Sequence, residues 1–133
     1  MQLRLALVVL VLAGGPALPA AAQSLSPMSN SGLTPSDIKG FRLMIGNPYK
    51  TRMIFDVLVL DTSFVSPAPQ AVVNDAEIAL APGASRPVIV EFKVLPPYKE
   101  RTIGVCVRPK GLRGPVQPRV CGLYTGKLIG ARG

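Results

Sequence analysis

Val88-Ile89-Val90-Glu91-Phe92-Lys93-Val94, stopped by Pro96-Pro97, is the stretch that decides the fold. Successive side chains of an extended chain point to opposite faces, so Val88, Val90, Phe92 and Val94 share one side while Ile89, Glu91 and Lys93 share the other. The same period of two recurs on both flanks. Downstream, Ile103, Val105 and Val107 alternate with Thr102, Gly104 and Cys106, and a last strand is expected from Val120 to Thr125. Upstream, Phe41, Leu43 and Ile45 alternate with Arg42, Met44 and Gly46 up to the turn dipeptide Asn47-Pro48. Met53, Phe55, Val57 and Val59 form a further set. Ile78 and Leu80 lead into Pro82-Gly83, a second turn signal. Ser63 to Gln70 reads as a connection between sheets. No stretch after residue 22 keeps helical spacing over three turns. The pattern predicts an all-β sandwich of six or seven short strands.

The first residues set the compartment. Arg4 precedes the unbroken apolar run Leu5–Leu12, and Gly14-Gly15-Pro16 and Ala20-Ala21-Ala22 follow it. That order is the signature of a secretory signal peptide, expected at 1–22 with cleavage after Ala22. The apolar run is far shorter than the ~20 residues a membrane-spanning helix needs. The chain is therefore expected to be periplasmic or secreted and not membrane-spanning. Residues 23–36, rich in Ser, Pro, Asn and Gly, are expected to be a flexible lead-in or edge strand, and 37–133 a single domain.

Cys106 and Cys121 are the only cysteines. In an oxidising compartment such a pair is expected to form a disulfide, closing a loop of about 15 residues for a gain of roughly 3 kcal/mol. Neither histidine nor a third cysteine exists to complete a zinc site, and no metal or cofactor is expected. If 102–108 and 119–125 are antiparallel neighbours, the two cysteines face each other across the hairpin.

Charge is distributed unevenly. The formal net charge is +8, and from Lys99 onward Glu100 is the only acid among many lysines and arginines. Arg108, Lys110, Arg113 and Arg119 are thus candidates for binding an anionic envelope component. The alternative is a solvated basic end with no ligand. Nucleic acid is disfavoured, because the chain is exported and is poor in stacking aromatics.

Catalysis is not expected. With no histidine, and with scattered carboxylates and serines that lack a neighbouring base, no acid–base pair or activated nucleophile is visible.

The order of these features resembles the amino-terminal domain of PapD-like periplasmic pilus-assembly chaperones. The likeness runs from about Leu25 to Arg108. It rests on Ile45-Gly46-Asn47-Pro48, on Ile78-Ala79-Leu80-Ala81-Pro82-Gly83 before a Val/Ile-rich strand, and on Leu95-Pro96-Pro97-Tyr98-Lys99-Glu100-Arg101. The resemblance implies an immunoglobulin-like sandwich of about seven antiparallel strands and a protein partner such as a fibre subunit. The family has two such domains, and this chain has room for one. Strand addition at a sheet edge is the expected mode of contact. The strand from Val120 to Ile129, with Leu123 and Lys127, and the outward apolar face Ile54, Leu58 and Leu60 are the candidate contacts. The competing reading of that face is cover by a loop such as Ser63 to Gln70.

Overall fold

Nine strands, and no helix, are present among residues 24–94, 98–111 and 118–129, which the computed structural model describes. In chain order they are β1 (Ser24–Ser26), β2 (Ser29–Thr34), β3 (Ile38–Gly46), β4 (Met53–Leu60), β5 (Ala71–Val73), β6 (Glu77–Leu80), β7 (Ser85–Lys93), β8 (Glu100–Pro109) and β9 (Val120–Leu128). A four-stranded sheet runs β1-β3-β7-β5 and a five-stranded sheet runs β2-β9-β8-β4-β6. The alternating apolar faces meet between them. Phe41, Leu43, Ile45, Val88, Val90 and Phe92 come from the first sheet. Phe55, Val57, Ile103, Val105, Val107 and Tyr124 come from the second. Each such side chain, once buried, contributes about 2 kcal/mol. The architecture is the expected immunoglobulin-like sandwich.

Within this sandwich the strands number nine among the described residues, and one pairing is parallel, that of β2 with β9. Residues 24–34 also form two strands in different sheets. β1 pairs with the end of β3, the chain crosses at Pro27 and Met28, and β2 joins the opposite sheet. The sequence Ser-Asn-Ser-Gly-Leu-Thr has no apolar alternation, since only Thr34 of β2 is buried. Backbone pairing, not side-chain burial, holds this strand.

Asn47 fixes one end of the sandwich. It is 2% exposed, and its Nδ2 donates to Leu80 O at 2.9 Å and Thr51 O at 3.0 Å. Its Oδ1 accepts from Tyr49 N at 2.9 Å, and its backbone exchanges bonds with Gly83 and Ala84. A buried amide is tolerated when its donors and acceptor are satisfied in this way. The turns at 47–52 and 81–84 are thereby stitched together, with Gly83 at φ 72° in the left-handed region that glycine adopts freely.

Candidate protein-binding surface

β8 and β9 form the expected hairpin, with Cys106 directly opposite Cys121 and joined to it. The Cα atoms are 4.1 Å apart, near the ~4.5 Å of a closely spaced antiparallel pair. The disulfide lies on the outward face of the five-stranded sheet, beside Leu58.

All five candidate contact residues sit on that outward face. Leu60, Gly104 and Leu123 lie in one cross-strand row, and Lys127 stands opposite Glu100 in another, at 3.9 Å between Nζ and Oε2. Ile54 and Leu123 are each 40% exposed, and Leu58 is half-buried. Leu60 is instead buried, because the loop 61–66 folds back over it. Asp61 Oδ1 gathers this loop, accepting from Ser63 Oγ, Val65 N and Ser66 N. Those bonds, the one from Ser63 first, hold its pKa below the usual carboxylate value. Phe64, at φ 60°, is laid over Gly104, where a Cβ would stand 2.6 Å from its ring and 2.7 Å from Asp61 O. Glycine is required by this close approach. Cover by a loop therefore accounts for Leu60, while Leu123 and Ile54 stay accessible.

The strand nominated from sequence is not an edge. β9 lies between β8 and β2, so its outer side is already paired, and β2 supplies the free edge. Met28 O accepts from Leu123 N at 3.3 Å and Thr34 O from Ile129 N at 2.8 Å. Carbonyls alternate sides along a strand, so Ser29, Ser31 and Leu33 direct their backbone groups away from β9. The β2 edge is flanked by exposed Met28 and Leu33.

Tyr124 ties the two together. Its side chain is fully buried, and its hydroxyl donates to Pro27 O at 2.6 Å. Burial pushes the phenol up to about 12. At Gly122, a Cβ would come within 2.4 Å of Met28 O, so only glycine lets the start of β2 approach. The inward glycine at 122 is the sequence signal that another backbone passes close by, whereas Gly126 makes room for the Lys39 and Val94 side chains.

Lys39 reaches the same edge from the opposite sheet. Its Nζ lies 4.9 Å above the Phe41 ring centre and donates to Leu33 O at 3.3 Å.

The basic candidates divide. Arg108 pairs with Asp56 at 3.6 Å, and Lys110 pairs with Asp56 at 3.5 Å and with Glu77. The hydrogen bond that Lys110 donates to Glu77 is the main cause of a raised Lys110 pKa. Arg119 has no carboxylate partner among the described residues, and Arg113 lies outside them. Lys50, Arg52 and Arg86, near the Asn47 turns, are also without carboxylate partners there.

With sheets, crossing lead strand and edge described, comparison with solved structures becomes informative. The Escherichia coli chaperone DraB superposes with a TM-score of 0.67 at 20% identity, over 84% of this chain and 58% of its own. This is a PapD-like fold. A similar PapD-like sandwich occurs in the Salmonella enterica SafB chaperone, solved in complex with SafA pilin. That match has a TM-score of 0.67 at 16% identity, over 88% of this chain and 59% of its own. The chain thus spans less than two thirds of the length of these chaperones. PapD-like domain 7 of human CEP192 matches as well, with a TM-score of 0.57 at 14% identity over 95% of this chain and 97% of that domain. No protein-family model matches the sequence. No curated protein matches it either.

Proposed function

We propose that this chain is a non-enzymatic, chaperone-like accessory domain that binds a fibre subunit by strand addition during assembly of surface fibres. Residues 1–22 act as its signal peptide, and the mature chain works in the periplasm or outside the cell. The reading is carried by one observation: a PapD-like sandwich with an open β2 edge, in a fold whose solved likenesses include a chaperone bound to a pilin. An edge strand offers unpaired N–H and C=O groups to an incoming segment, and exposed Met28, Leu33 and Leu123 offer apolar contacts beside it.

Ser31 provides the test. Its N–H is turned away from β9 and bonds only to the exposed Asn30 side chain at 2.9 Å. Ser31→Pro removes this donor and leaves the β2–β9 ladder in place. Co-expressed with a fibre subunit of the same organism, the wild-type chain is expected to co-purify with the subunit from the periplasm at high salt. The variant is expected to lose at least tenfold of that capture. Equal capture by both would overturn the proposal.

A second reading, electrostatic binding of an anionic envelope component, is favoured by Lys50, Arg52, Arg86 and Arg119 at one end of the sandwich. Such binding would be released as salt rises, because exposed charges are screened beyond about 8 Å at physiological ionic strength. High-salt capture separates the two readings.

A further inference from the structure

β1 covers only the Met44–Gly46 end of β3, so the edge of β3 from Ile38 to Leu43 has no strand beside it in its own sheet, and β2 of the opposite sheet lies against it. Lys39 bridges the two strands. It shares the inward side of β3 with Phe41, Leu43 and Ile45, a position where an apolar side chain would be usual. Two glycines make room for its stem. A Cβ on Gly126 would stand 2.8 Å from Lys39 Cβ, and one on Gly32 would stand 2.9 Å from Nζ. Lysine stems commonly lie along apolar surface while the head reaches water. This head instead rests over the Phe41 ring and bonds the carbonyl of Leu33, one of the outward acceptors of the β2 edge. Among the described residues no carboxylate pairs with it, and an ammonium has three N–H donors.

The consequence for strand addition is specific. A neutral strand arriving at β2 must displace the ammonium from Leu33 O and leave a half-buried cation short of an acceptor. A strand with a carboxylate in reach takes over the ammonium and frees Leu33 O for its own N–H. Resting on the strand-addition reading, we propose that the β2 edge selects an extended partner segment with an aspartate or glutamate side chain opposite Gly32, on the inward face from which Lys39 reaches the edge, and that Lys39 is the residue that reads this charge. The commitment to an acidic segment follows from charge complementarity. Lys127 is the nearest rival, but it pairs with Leu33 on the outward face of the sheet and already faces Glu100.

The probe is a set of eight-residue peptides of alternating Val and Thr, with a single Asp, or Asn in its place, moved through the positions. Binding is read by fluorescence anisotropy at low salt. The best Asp peptide is expected to bind about tenfold tighter than its Asn twin, the scale of one charge-assisted hydrogen bond. Lys39→Met, which keeps the stem, should bring that ratio to about one, whereas Lys39→Arg and Lys127→Met should preserve it. A melting curve close to wild type shows that each variant folds. A ratio that survives in Lys39→Met, or is absent from the wild type, overturns the proposal while leaving strand addition standing. Peptide binding unaffected by Ser31→Pro, or no binding of any peptide, overturns strand addition and this proposal with it.

Discussion

The two sides of β9 are built on different principles. On one side β8 is antiparallel, is buried without a break from Ile103 to Val107, and is covalently joined through Cys106–Cys121. On the other side β2 is parallel, mostly polar, and held by backbone bonds, one buried threonine and the Tyr124 hydroxyl. One strand thus has a permanent neighbour and a lightly held one. Under the proposed strand addition, the stapled side keeps β9 in place and the lightly held side is the one extended.

The strongest way to break the comparison is to remove the staple. Cys106→Ser with Cys121→Ser is expected to cost about 3 kcal/mol, read as a lower melting temperature that reductant no longer changes. An unchanged melting temperature would mean that the hairpin's own packing, not the bridge, holds β9. Next, Gly122→Ala drives a methyl group into Met28 O and should cost about 2 kcal/mol. Amide exchange should then speed up in β2 and stay slow in β8. Uniform acceleration in both strands would show that the two sides are not independent.

Tyr124→Phe is the smallest change, losing about 1 kcal/mol with the bond to Pro27 O. It also sharpens the comparison through pH. The phenol titrates near 10 when unfolded and near 12 in the fold. The folded chain therefore holds this proton more tightly. The resulting stability is complete below pH 10 and is lost as pH rises toward 12. Alkaline melting curves of wild type and Tyr124→Phe should converge over that window, and parallel curves would remove the buried phenol as their cause.

Legibility in the sequence follows the same division. β3, β4, β7 and β8 were readable because burial imposes an alternating pattern, and Asn47-Pro48 and Pro82-Gly83 marked their ends. The opposed cysteines were readable because a hairpin brings its two strands into register. An edge strand within residues 23–36 was one of the two readings of that stretch, but the parallel place of β2 beside β9 was not legible, because backbone bonds leave no imprint on side-chain choice. Burial of Leu60 was hidden for another reason, since its cover depends on how Asp61 gathers the following loop. Lys39 did leave a trace. It shares parity with Phe41 and Leu43, and a cation at an inward position of a strand is a departure that asks for a reason.

The amide of Asn47 has a consequence for how this end of the molecule can vary. It grips two turns at once, so their lengths are coupled: adding a residue to either 47–52 or 81–84 would pull bonds out of the other. Exposed Lys50, Arg52 and Arg86 are free to change identity, but the chain around them is not free to grow. Insertions should be accepted beyond the Val65 loop tip and rejected here, which makes this end a fixed rim carrying an interchangeable surface.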